Sequence, residues 1–116
     1  MKLNHLNLTV TSVPQAATFL ETYFGLRNMG GASDSMAGLV DENGLVLTLM
    51  RAGHGVDVKY PRSFHLGFMQ DSDEQVNEVN RRLKEGGLAV DLPRRLHGAW
   101  TFYFEAPGGF VIEVGH

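Results

Sequence analysis

The chain is written twice. Leu3-Asn4-His5-Leu6 precedes Ser12-Val13-Pro14-Gln15 much as Phe64-His65-Leu66-Gly67 precedes Ser72-Asp73-Glu74-Gln75, and in each half the histidine lies seven residues before the serine. Leu3 to Val10 alternates, so Leu3, His5, Asn7 and Thr9 share one face of a strand while Leu6, Leu8 and Val10 share the other. Ser12 with Gln15 then forms a capping-box pattern, Pro14 falls in the first turn, and Ala16, Phe19, Leu20, Tyr23 and Phe24 recur at helical spacing up to Gly25. Glu42-Asn43-Gly44 between two apolar runs predicts a hairpin, with three strands expected after the helix.

The second half repeats the order. A strand is predicted over 64–69 and a helix over 73–84 that ends at Gly86-Gly87, followed by strands around Leu88-Ala89-Val90, over 100–104 and over 110–114. The unit is βαβββ, used twice: module one covers about 1–50, a polar linker about 51–62 and module two about 63–116, all within one domain. A hairpin centred near Gly108 places Tyr103 opposite Glu113, with Thr101 on the same face and His97 farther along it, while Phe102, Phe104, Phe110, Ile112 and Val114 form the apolar side.

Composition then limits the chemistry. A net charge of -3 and a single short basic cluster, Pro93-Arg94-Arg95-Leu96-His97, argue against nucleic acid as a partner. No apolar run approaches the roughly 20 residues that span a bilayer, so no membrane partner is expected. The absence of cysteine removes disulfides, thiolate metal sites and cysteine nucleophiles, and it fits a cytoplasmic protein. A metal site here must use nitrogen and oxygen, and His5, His65 and Glu113 are the candidate ligands because each points from an alternating strand away from its apolar face.

The duplicated unit, with a histidine in the first strand of each half and a glutamate in the last strand, resembles the vicinal oxygen chelate superfamily, which includes glyoxalase I, extradiol dioxygenases, methylmalonyl-CoA epimerase and the fosfomycin and bleomycin resistance proteins. The resemblance covers essentially the whole chain. It implies an α+β fold in which two tandem βαβββ modules form a curled mixed sheet, an open cup with the helices outside, and a divalent ion held by His5, His65 and Glu113. Aligning 45–49 with 110–114 puts Thr48 where many members have a fourth, carboxylate ligand. That departure favours three-ligand relatives, the extradiol dioxygenases and fosfomycin transferases, over glyoxalase-like lyase or isomerase chemistry.

Between these, the stretch from Phe102 to Glu113 is similar to the extradiol dioxygenase signature, in which a tyrosine precedes the ligand glutamate across a proline-glycine turn. It implies Tyr103 as an active-site hydrogen-bond donor and His97 as a partial match to an upstream catalytic histidine. Two imidazoles and one carboxylate leave about three positions open on a six-coordinate ion, an arrangement that suits Fe2+ and accepts Mn2+, Ni2+, Co2+ or Zn2+. Asn7, Thr9, Thr48 and Thr101 are placed to orient a small-molecule substrate that chelates through neighbouring oxygens. Relatives of this size imply a homodimer. The alternative is a metal-free protein of the bleomycin-resistance type, which sequesters a small molecule.

Overall fold

A computed structural model describes all 116 residues, and it contains two helices and eight strands in two compact units. The first unit comprises 1–60 with 107–109, and the second comprises 61–106 with 110–116.

In module one, β1 (His5–Val10) leads into α1 (Val13–Phe24), then β2 (Arg27–Asn28), β3 (Met36–Val40) and β4 (Val46–Arg51). The sheet order is β1-β4-β3-β2, with β1 parallel to β4 and the remaining pairs antiparallel. The Ser12 hydroxyl accepts from the Gln15 backbone N–H at 3.4 Å, which satisfies one of the free donors of the first helical turn. Gly25 ends the helix with a left-handed φ of 66°, which glycine adopts without a Cβ clash. α1 buries Val13, Ala16, Ala17, Phe19 and Leu20 against β3 and β4, whose Ala37, Leu39, Leu47 and Leu49 complete the core with Leu8 and Val10. Burying each large aliphatic side chain contributes about 1.5 to 3 kcal/mol, so this packed layer fixes which face of β1 is left for chemistry.

Module two repeats the plan with β5 (Leu66–Met69), α2 (Asp73–Glu85), β6 (Arg94–Leu96), β7 (Ala99–Ala106) and β8 (Phe110–Gly115), ordered β5-β8-β7-β6. Ser72 caps α2 through the Gln75 N–H at 3.2 Å, with Asp73 and Glu74 in the first turn and Arg82 and Lys84 in the last, each matched to the helix dipole. Val76 and Leu83 are buried beneath α2, which lies against β7 and β8 and their apolar side chains Phe102, Phe104, Phe110, Ile112 and Val114. The one buried amide of the helix, Asn80, donates to the Asp91 carbonyl at 2.7 Å.

The βαβββ duplication and the α+β class hold. The strand expected around Leu88-Ala89-Val90 is corrected: the Leu88 N–H returns to the Leu83 carbonyl at 3.0 Å and prolongs the helix exit, and Asn80 holds Asp91. The edge strand forms instead at Arg94–Leu96, paired to β7 across a two-residue turn of His97 and Gly98. Both turn residues have positive φ, 52° and 83°, the geometry that matches the twist of a tight hairpin. No helix is long and apolar enough to cross a membrane.

Candidate functional site

Strand alternation in module two sends Phe110, Ile112 and Val114 toward α2 and Glu113 to the opposite face. The β7–β8 register opposes Tyr103 to Glu113, as the three-residue turn predicts, and the parallel β5–β8 register sets Gly67 on Glu113's other side. The carboxylate is therefore flanked by a phenol and by a glycine that leaves space.

The two oxygens of Glu113 have different surroundings. Oε1 accepts from the Tyr103 hydroxyl at 2.7 Å and lies 3.1 Å from the Thr101 hydroxyl, whose single proton is also directed at the Val114 carbonyl at 2.8 Å. Oε2 faces His65 Nε2 at 3.1 Å. The side chain of Glu113 is 17% exposed and that of His65 37%, so the pair is half-enclosed yet open to a small molecule. The bond to Glu113, then burial, then the carboxylate's charge all push the Tyr103 pKa up, so the phenol keeps its proton and remains a donor.

His65 Nδ1 lies 2.9 Å from the Ser63 carbonyl. A carbonyl only accepts, so Nδ1 carries the proton and the ring is oriented with Nε2 toward Glu113. The Tyr103 ring meets the imidazole edge-on, with centroids 5.4 Å apart and planes at 85°. Backbone carbonyl, imidazole and carboxylate thus form the kind of chain that orients a metal-ligating histidine.

Module one carries the counterpart positions. His5 pairs with Val46 in the parallel β1–β4 ladder, and continuing the β5–β8 register back by one residue pairs His65 with Val111. Two residues farther on, Asn7 pairs with Thr48 as Gly67 pairs with Glu113, so Thr48 stands at the carboxylate's equivalent place. His5 Nδ1 lies 2.7 Å from Asn4 Oδ1, which again leaves Nε2 as the free nitrogen. Asn7 donates to the Met50 sulfur at 3.1 Å, and Thr9 is held through its backbone N–H and carbonyl by the Tyr60 hydroxyl, at 2.9 and 2.7 Å.

The structure thus gathers His65, Glu113, Tyr103 and Thr101 into one constellation and places His5, Asn7, Thr9 and Thr48 on the corresponding strands of module one. No three His, Asp or Glu side chains form a ready metal cluster; among the candidate ligands the close pair is His65 with Glu113, and a second histidine–carboxylate pair, His116 with Asp73 at 2.8 Å, lies elsewhere in module two. Its donors do suit a divalent ion, because one imidazole nitrogen and one carboxylate oxygen face each other while Nδ1 and Oε1 are occupied by other partners. His97 is corrected: it does not continue the face of β7 but forms the left-handed corner of the β6–β7 turn, exposed to solvent. Tyr60 was not foreseen, since its contact with Thr9 spans 51 residues and no local pattern announces it.

Two βαβββ modules in tandem, each with its helix on one face of a four-stranded mixed sheet and polar side chains on the other, define the class of fold. The chain matches the Glyoxalase/Bleomycin resistance protein/Dioxygenase superfamily over residues 2–114, and it belongs to that superfamily. A possible glyoxalase from Bacillus cereus is 51% identical, with 100% of this chain and 99% of that one covered and a TM-score of 0.91. A lactoylglutathione lyase from Agrobacterium tumefaciens, 18% identical over 98% of this chain and 92% of that one at a TM-score of 0.78, shares the fold. A probable trivalent organoarsenical cleaving enzyme from Bacillus subtilis is 32% identical over 88 residues, which span 76% of this chain and 58% of that protein's length.

Proposed function

We propose that the protein is a divalent-metal-dependent enzyme that acts on a small molecule chelating through two neighbouring oxygens, with extradiol-dioxygenase-like chemistry as its reaction. His65 and Glu113, with His5 as the third donor, would hold the ion, Fe2+ being preferred and Mn2+, Ni2+, Co2+ or Zn2+ accepted. The observation that carries this reading is the division of labour at Glu113: Oε1 is held by Tyr103 while Oε2 faces the Nε2 of a histidine already oriented through Nδ1.

When bound, such an ion supplies a Lewis acid for the substrate's oxygens and, as ferrous iron, a place to bring dioxygen beside them. The chain's own groups do the rest. Ser63 and Asn4 fix the two imidazoles, and the Tyr103 phenol, which stays protonated, donates to Glu113 and so positions the carboxylate. Thr48, Asn7 and Thr9 supply neutral polar groups on the module-one strands. The arsenical of the Bacillus subtilis relative is a poor fit, because a soft trivalent arsenic centre is best held by thiolates and this chain has no cysteine. A cytoplasmic homodimer is part of the same proposal.

Elemental analysis of untagged protein beside His5→Ala, His65→Ala and Glu113→Ala tests it first. About one divalent ion per chain, lost in each variant, followed by dioxygen uptake with catechols on the iron-loaded protein, is the expected result. Protein that neither retains nor reloads metal sinks this reading and leaves a bleomycin-resistance-type binding protein. Metal without dioxygen uptake rejects the dioxygenase reaction alone.

A further inference from the structure

Where β4 ends, the stretch that the sequence reads as a linker turns back beside β1 and borders a half-open cavity of about 360 Å3, lined by Thr11, Arg51, Ala52, Gly53, His54 and Val56. All six belong to the first compact unit. Backbone bonds set the walls: the Arg51 N–H donates to the Ser35 carbonyl, the Ala52 N–H to the Val10 carbonyl and the Thr11 N–H to the Gly108 carbonyl, each at 3.0 Å. The Val56 N–H then closes a turn onto the Gly53 carbonyl at 3.0 Å, with Gly55 at φ 73° in its third position, the left-handed corner that a type II turn gives to glycine. A strand end thus carries a guanidinium, and a hydrogen-bonded turn three residues on carries an imidazole.

Charge sets this cavity apart. None of its six residues is acidic, and the Arg51 guanidinium and the His54 imidazole make no ion pair or hydrogen bond within the protein. The guanidiniums of Arg81 and Arg95, by contrast, are already paired, with Glu78 and Glu85 and with Asp73. Asp57, the carboxylate next along the chain, lies 3.9 Å from Lys59. We propose that this cavity binds the phosphate group of a small phosphate monoester. A guanidinium presents two parallel N–H donors to two oxygens of a phosphate, and an imidazole donates an N–H in either protonation state. The volume falls in the range of small-molecule pockets, about 300 to 1,000 Å3, and leaves room for more than a bare ion. Ala52 and Val56, the latter 61% exposed, offer an apolar wall to the carbon atoms of an ester, and Thr11 offers a hydroxyl. Module one and its linker build this site without any contribution from His65 or Glu113.

Amide NMR of the full chain, titrated with glycerol 3-phosphate at fixed ionic strength, tests this. Saturable shifts centred on 51–56 are expected, with glycerol giving none and inorganic phosphate binding at least about threefold more weakly. Arg51→Gln should weaken the ester at least about tenfold and His54→Gln about three- to fivefold, whereas Lys59→Gln, which removes the same charge outside the cavity, should stay within about twofold. Unshifted amides in α1 and β1 verify that each variant keeps its fold. Shifts centred on His65 and Glu113, or an affinity lost in Glu113→Ala, would put the anion elsewhere and overturn the proposal. Equal losses in the Arg51, His54 and Lys59 variants would overturn it too, by showing diffuse attraction to charge. Inorganic phosphate as tight as the ester would reject the ester and leave a simple anion site.

Discussion

Tyr103→Phe removes one atom and leaves the ring that meets His65 in place, so it isolates the hydrogen bond to Glu113. A bond to a charged acceptor contributes about 1.5 to 3 kcal/mol. The upper part of that range does not apply, because the Thr101 hydroxyl lies 3.1 Å from the same oxygen and the carboxylate is 17% exposed, so both a second donor and water can substitute. The expected loss is therefore about 1 to 1.5 kcal/mol at neutral pH, roughly tenfold in the folding equilibrium, read from urea denaturation of the metal-free protein. The pH dependence follows from the raised pKa of Tyr103. A group that binds its proton more tightly when folded adds stability that is fully present below the unfolded tyrosine value of about 10 and is lost as pH rises through the folded value. Wild type should lose this increment above about pH 10 and the Phe variant should not, so the gap between them narrows there. Metal affinity should fall at least about tenfold, since Tyr103 orients the proposed ligand Glu113. Equal stability at neutral pH with parallel profiles through pH 10 would refute the role given to the phenol.

Three other substitutions probe separate parts of the structure. Gly67→Ala meets only ordinary contacts, 3.7 Å to Met69 and 3.9 Å to Glu113, so thermal denaturation should show stability unchanged or raised by about 0.5 kcal/mol, while a methyl beside the carboxylate should weaken chelator binding. His97→Asn keeps a residue that tolerates φ of 52° and should leave both stability and turnover near wild type, whereas a catalytic His97 would lose turnover at least a hundredfold. Ser72→Ala removes the α2 cap and should cost about 1 kcal/mol in chemical denaturation, with no change in metal stoichiometry.

What was legible in the chain follows distance along it. The Tyr103–Glu113 pairing joins residues ten apart across a turn whose Pro-Gly-Gly sequence declares itself, and alternation tells which side of β8 the carboxylate takes. The helix caps and both histidine positions are equally local. The edge strand β6 was misplaced because Leu88, Ala89 and Val90 have strand-like side chains, while the competing bonds, Leu88 to Leu83 and Asn80 to Asp91, depend on how α2 ends. His97-Gly98 is itself a hairpin signal, hidden by the histidine's resemblance to a catalytic residue. Tyr60 could not be foreseen, because its partner is set by tertiary folding alone.

The two modules show how one backbone register takes on two chemical roles. Asn7-Thr48-Gly38 in the first and Gly67-Glu113-Tyr103 in the second are matching rows across matching ladders. Only the second brings a charge. In the proposed centre, one carboxylate and two neutral imidazoles would leave a divalent ion with a net charge of about +1, which would favour an anionic chelator such as a catecholate. A glutamate at position 48, offered as a fourth ligand to that proposed centre, would cancel this charge. Thr48→Glu should therefore tighten metal binding in a chelator competition assay while weakening nitrocatechol by at least about tenfold, in the same loaded protein. If both strengthen together, Thr48 does not keep the proposed centre open.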